Sequence, residues 1–194
     1  IWKGLVGSEM CIRDRVCDAL ATPLKIIKKA RISSFDKVGV IGAGGGLGIH
    51  MLKMLKLNNI SAIGIDTKTE KFNTCNENGA EFSVSPLEND LKNKIADFSK
   101  SNDLDVVIDF VSSKSSLELG CSILGKGGRL VTLGGSGEQF LANSADMLVK
   151  ELELIGSRYC TKQELKESLD LFARGLIEPL VSVKTDFDGA EGLH

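Results

Sequence analysis

Lys37-Val-Gly-Val-Ile-Gly-Ala-Gly-Gly-Gly-Leu-Gly48, an apolar helical pattern after it, and Ile63-Gly-Ile-Asp66 are the residues here whose types and spacing could hold a charged ligand. They read as strand, glycine-rich turn, helix and second strand, with a carboxylate at the second strand's end. Glycines let a diphosphate approach bare backbone, and the N-terminus of the following helix offers unpaired N–H groups and a partial positive charge. Asp66 stands where a carboxylate can accept hydrogen bonds from adenosine ribose hydroxyls. It would repel the extra phosphate of NADP, so NAD is the expected ligand and NADP the less favoured one. The strict Gly-x-Gly-x-x-Gly spacing is not met, because Leu47 takes the sixth position from Gly42. The better reading is Gly-x-x-Gly-x-x-Gly over Gly42, Gly45 and Gly48. A glycine loop in some other α/β fold, or a nucleotide fold with a different ligand, is the alternative. The order strand, loop, helix, acid favours the dinucleotide site.

The elements that must position these residues alternate along the chain. Strands are expected over residues 37–41, 61–65, 81–84, 105–110, 129–133 and 152–156, with a last short one over 181–183. Val106-Val-Ile108 is apolar on both faces, as a buried parallel strand should be. Helices are expected after Thr22-Pro23, with Thr22 as N-cap, and after Gly48, burying Leu52 and Leu55. Three capping boxes are read at Thr67-x-x-Glu70, Ser115-x-x-Glu118 and Thr161-x-x-Glu164. A helix over 87–99 places Leu91, Ile95 and Phe98 on one face. Glu138 and Asp146 read as parts of a solvated polar loop, and His50 as a packing or surface residue. This alternation predicts an α/β fold: a doubly wound, parallel, six-stranded Rossmann sheet.

With 194 residues the chain can bury one good core. A net charge of −2 argues against nucleic acid or an anionic membrane surface as partner. No apolar run approaches the roughly 20 residues of a membrane span. Cys11, Cys17, Cys75, Cys121 and Cys160 are scattered without a Cys-x-x-Cys, which suits free thiols in a reducing cytoplasm. Glu9-Met-Cys-Ile-Arg-Asp-Arg15 resembles the translation of a transposon-end adapter used in preparing sequencing libraries. Residues 1–15 are therefore expected to be non-native. The abrupt stop at Gly192-Leu-His194 suggests a fragment, cut at both ends.

Asp18-Ala-x-x-Thr-Pro23, the Gly42–Gly48 turn, Asp66 with Lys71, Val107-Ile-Asp-Phe-Val111, Gly127-Gly-Arg-Leu-Val131 with Gly134, and Glu151-Leu-x-x-Ile-Gly-Ser157 together resemble the medium-chain dehydrogenases. Within that superfamily they are most similar to the zinc-dependent alcohol dehydrogenases. The resemblance spans residue 16 to the end. It implies a linker helix over 16–34 from an absent catalytic domain, an NAD-binding domain over 35–160, and over 161–194 a helix and a truncated return to the catalytic domain. Remnants of that domain would therefore sit at both ends.

By the same resemblance, Gly42, Gly45, Gly46, Leu47 and Gly48 line the pyrophosphate. Asp66 and Lys71 hold the adenosine ribose. Phe110 and Val111 shape the cleft after the fourth strand, and Gly134 and Thr22 meet the nicotinamide. Asp18 falls where the family places a ligand of its catalytic zinc, with Cys17 as the neighbour one register away. A carboxylate can ligate zinc in an open three-ligand site, and the remaining ligands would lie in the missing half. No catalytic residue is assigned within this chain. Leu20, Lys25 and Ser112 depart from residues common in the family, Ser112 from a frequent glycine.

The implied activity is NAD-dependent hydride transfer between an alcohol and its carbonyl compound, with zinc in the full-length enzyme. The full-length protein would be a homodimer or homotetramer. A zinc-free quinone or enoyl reductase using NADPH is the alternative within the superfamily, and a regulatory NAD-binding module the alternative outside it.

Overall fold

The computed structural model describes residues 16–101 and 103–180. The strand expected over 181–183 lies outside the described residues. Among the described residues, six strands form one sheet: β1 (Lys37–Ile41), β2 (Ser61–Ile65), β3 (Ser83–Val84), β4 (Leu104–Asp109), β5 (Leu124–Thr132) and β6 (Glu153–Gly156). Their order is β3-β2-β1-β4-β5-β6, and every neighbouring pair is parallel. Connection order reverses between β1 and β4, so a crevice opens at the carboxyl ends of those two strands.

Among the described residues, seven α-helices accompany the sheet: α1 (Ala21–Lys29), α2 (Gly46–Leu57), α3 (Phe72–Glu77), α4 (Leu91–Ser99), α5 (Lys114–Ser122), α6 (Ser144–Lys150) and α7 (Lys162–Ala173). Side chains alternate across each strand, and both faces of the sheet are covered. Val38, Val40, Val106, Ile108 and Val131 pack with Ile26, Met51, Leu52 and Leu55 in one core. Ile41, Ile63, Ile65, Val107 and Leu130 pack with Leu91, Ile95, Phe98 and Leu117 in the other. The doubly wound arrangement read from the alternation is therefore the one observed.

Local boundaries differ where side chains found other partners. A π-helical turn, Val16–Leu20, runs directly into α1, so Thr22 lies inside the helix and not at its N-cap. Its hydroxyl donates to Asp18 Oδ1 one turn back, at 3.2 Å. Thr67 caps nothing: Asp66 takes the Lys68 N–H, and a 3₁₀ turn, Thr69–Lys71, leads into α3. The capping box of α5 forms between Ser113 and Ser116, two residues ahead of the expected pair. The third box, Thr161 with Glu164, forms as expected. The loop containing Asp146 is helical as α6, with Asn143 as N-cap. That helix has only seven residues and buries none of them, and it is shorter than the window a helical period needs.

β5 is longer than the 129–133 segment. It pairs Leu124 with Leu104, then bulges, and resumes with Arg129 opposite Val106. Arg129 ties β5 to the end of α1. Its guanidinium donates to the Ala30 and Arg31 carbonyls at 2.7 and 3.1 Å and pairs with Asp36. Carbonyls at a helix C-terminus lack partners within the helix, and Arg129 supplies them.

Candidate functional site

β1 ends at Ile41, and Gly42, with a φ of +75°, turns the chain sharply toward α2. Gly45 is the N-cap of α2, with no side chain capping it. The first intrahelical bond back to the cap is Ile49 N–H to Gly45 O at 3.0 Å. The N–H groups of Gly46, Leu47 and Gly48 precede it, as donors that a helix cannot satisfy internally. A Cβ on Gly48 would lie 2.3 Å from Gly42 O and 2.7 Å from Ala43 Cα, so only glycine lets α2 sit this close to the turn. A Cβ on Gly46 would meet nothing within 4 Å. Gly48 therefore serves packing, while Gly46 faces open space.

Asp66, at the end of β2, is tied to this turn. Its Oδ2 accepts from Gly44 N at 2.8 Å, and its Oδ1 from Lys68 N at 2.9 Å. A Cβ on Gly44 would stand 2.7 Å from Lys71 Cβ. Gly44, absent from the Gly42–Gly45–Gly48 spacing, thus lets the acid, the lysine and the turn converge.

Three cavities form a continuous trough over the strand ends. The central one, about 630 Å³, is lined by Gly42, Gly45, Gly46, Leu47, Gly48, Asp66, Lys68, Lys71, Phe110 and Val111, among others. It shares Gly42, Asp66 and Val111 with a more apolar pocket of about 350 Å³, walled by Ile41, Ile65, Leu87 and Leu119. Leu47 joins it to a third, of about 450 Å³, lined by Asp18, Thr22, Gly134, Ser157, Arg158 and Tyr159. All the sequence-predicted residues line this trough. It has an apolar end, a middle of exposed backbone N–H groups flanked by two lysines, and a polar far end. Such a shape fits an elongated ligand with a flat apolar ring at one end and an anionic centre.

Asp109 was missed as a positioning residue. It is fully buried at the end of β4. Its Oδ1 accepts from Val111 N at 2.8 Å and Ser112 N at 3.0 Å, and its Oδ2 from the Ser116 hydroxyl at 2.7 Å. One carboxylate thereby shapes the loop carrying Phe110 and Val111 and anchors α5 beneath it. The only signal was a lone acid closing an apolar strand. Ser112 follows with φ +54°, a conformation that favours glycine. Its hydroxyl accepts from Gly134 N at 2.7 Å and bonds Thr132 Oγ1 at 2.6 Å, which offsets the strain. A Cβ on Gly134 would fall 2.4 Å from Ser112 Cβ, so a serine at 112 is accommodated by a glycine at 134.

His50 is a packing residue: it is buried, with Nδ1 directed at Gly46 O and Nε2 accepting from Leu180 N at 2.9 Å. That pairing puts the ring proton on Nδ1. Asp18 is exposed at the polar end of the trough. Among the described residues no three His, Cys, Asp or Glu side chains gather as a metal site. Asp18 is a single donor there, so these residues alone do not constitute a zinc centre.

The family model for zinc-binding dehydrogenases matches residues 46–174. An NAD-dependent alcohol dehydrogenase of Sulfurisphaera tokodaii is 25% identical over 162 residues, covering 83% of this chain and 47% of that protein. An acryloyl-coenzyme A reductase of Metallosphaera sedula is 27% identical over 158 residues, covering 80% and 45%. Among solved structures, acetophenone reductase from Geotrichum candidum in complex with NAD superposes with a TM-score of 0.78 at 27% identity, covering 93% of this chain and 50% of that one. The chain spans about half the length of the curated relatives it matches. With the Rossmann sheet, the glycine turn and the family match in agreement, the chain belongs to the zinc-binding dehydrogenases, within the medium-chain dehydrogenases that its motifs resemble.

Proposed function

We propose that this chain is the NAD-binding part of an alcohol dehydrogenase that moves hydride between an alcohol or carbonyl substrate and nicotinamide. The carrying observation is the Asp66 carboxylate, bonded to Gly44 N–H at 2.8 Å on the rim of the trough. Its remaining lone pairs suit ribose hydroxyls, and its charge disfavours a phosphate at the same place. Lys71 assists Asp66 at the ribose. The N–H groups of Gly46, Leu47 and Gly48 hold the pyrophosphate between Gly42 and Gly45, and Phe110 and Val111 line the cleft above it. Thr22 and Gly134 flank the nicotinamide. NAD, when bound, supplies the two-electron hydride acceptor.

Asp18 is proposed as one zinc ligand in the whole protein, beside Thr22 at the same end. The other ligands it would need are not among the described residues. The chain alone is expected to bind NAD without turnover, because no group that would hold substrate against nicotinamide is found among the described residues. Full-length copies associate as dimers or tetramers. The β6 edge is the proposed contact, since Leu154 on it and Leu148 and Val149 nearby are exposed.

The similarity to an acryloyl-coenzyme A reductase, with the Gly-x-x-Gly-x-x-Gly spacing, supports the second reading, a zinc-free reductase. Nicotinamide fluorescence on titrating the chain with NADH, alongside an alcohol-dependent assay of NAD reduction, tests the proposal. Saturable NADH binding without turnover is expected. Turnover of an alcohol by the chain alone would contradict it.

A further inference from the structure

Two cysteines from distant segments come together beside the polar end of the trough. Cys17, in the Val16–Leu20 turn, is exposed, and Cys160, between β6 and α7, is half-buried. The Cys160 thiol donates to the Cys17 carbonyl at 3.7 Å, although 143 residues separate the two in sequence. The other described cysteines are placed elsewhere: Cys75 is fully buried in the core, and Cys121 lies on α5. Asp18 and Thr22, which follow Cys17, and Ser157, Arg158 and Tyr159, which precede Cys160, line the same cavity from two segments.

We propose that Cys17 and Cys160 are a redox-modification site, a dithiol that peroxide-class oxidants convert to an intramolecular disulfide, cross-linking those two walls. The exposed Cys17 sulfur attacks the peroxide O–O bond, forming a sulfenic acid and releasing one water. The Cys160 sulfur then attacks the Cys17 sulfur. An S–S bond forms, the S–O bond breaks, and the hydroxyl leaves with the Cys160 proton as a second water. The two sulfurs together give up two electrons, and the peroxide gains them. A dithiol reductant reverses the bridge through a mixed disulfide. In the reduced form both residues are free thiols, as scattered cysteines without a paired motif suggest. The bridge fixes the separation of the two segments at the cavity mouth.

Peptide mapping and intact mass of the full chain, after treatment with hydrogen peroxide under non-reducing conditions, test this directly. The expected result is loss of two hydrogens per chain, disappearance of two of the five titratable thiols, and a Cys17–Cys160 cross-linked peptide. Dithiothreitol restores the original mass. Cys17→Ser and Cys160→Ser each abolish the bridge, and Cys121→Ser leaves it intact. A bridge that recruits Cys11 or Cys121, or oxidation of Cys17 that stops at the sulfenic or sulfinic acid, would overturn the proposal, as would no bridge at all. The readout is a mass, so its failure is distinguishable from a failure to bind cofactor.

Discussion

Replacing Gly48 and Gly46 separately by alanine should split the glycine turn into its packing part and its binding part. In Gly48→Ala the new methyl lies 2.3 Å from Gly42 O, 2.7 Å from Ala43 Cα and 2.7 Å from Ala43 O. All three are backbone atoms, so no side chain can rotate away and the turn or α2 must shift. Overpacking of this kind costs about 1–3 kcal/mol. Alanine's better helix propensity returns at most about 1 kcal/mol, so the net effect is destabilising. For a domain of this size each kcal/mol lowers the melting midpoint by about 2–4 °C. In Gly46→Ala the methyl meets nothing within 4 Å, and stability should be unchanged or slightly raised. That methyl enters the central cavity, however, and should weaken NADH binding by about tenfold, or about 1.4 kcal/mol. Urea unfolding and NADH titration of both variants provide the assay. The reasoning is refuted if Gly48→Ala is as stable as wild type while Gly46→Ala unfolds more easily.

Three further outcomes follow from the same contacts. Asp109→Ala strands the Val111 and Ser112 N–H groups and the Ser116 hydroxyl in a buried site. It should lose about 3 kcal/mol or more in chemical denaturation, against about 1 kcal/mol for Asp109→Asn, which keeps an acceptor. Asp66→Ala should weaken NAD binding by roughly 10- to 100-fold, the worth of hydrogen bonds to a charged acceptor, with NADP gaining relative to NAD in competition titrations. At Glu164, burial raises the carboxyl pKa, but hydrogen bonds from Thr161 and the charges of Lys25 and Lys28 outweigh it and hold it below the ordinary value. A depressed folded-state pKa contributes stability above the unfolded value, and that contribution fades as pH falls through the folded one. Glu164→Gln should therefore flatten this part of the acid limb of a stability–pH profile and leave the neutral region nearly unchanged.

The sheet was legible because its strands are apolar on both faces and bounded by turn residues, with helical periods between. Val106-Val-Ile108 shows why: only a strand covered on both sides needs three consecutive apolar residues. The Thr161–Glu164 cap was legible because both partners are local. Features that no local pattern marks were not. Thr22 sits in mid-helix because the turn before it is also helical and Asp18 accepts its hydroxyl. The bulge in β5 depends on its register with β4, and α6, at seven residues, is shorter than the window a helical period needs. Within the site, the carboxylate and the glycines were visible by type and spacing. The roles of Gly44 and Ser112 were not, because each acts through residues 20 or more positions away, and Ser112 also through a left-handed backbone that composition does not encode. Asp109 bonds only near neighbours, but nothing in its type marks a strand-end acid as buried.

The central claim is that the Gly42–Gly48 turn and Asp66 form an NAD site. Calorimetric titration of the chain with NAD and with NADP, on wild type and Asp66→Ala, tests it most directly. NAD binding that exceeds NADP binding in wild type and weakens by roughly 10- to 100-fold in the variant is the predicted result. NADP binding equal to or tighter than NAD in wild type, with Asp66→Ala indistinguishable from it, would contradict the claim and favour the reductase reading.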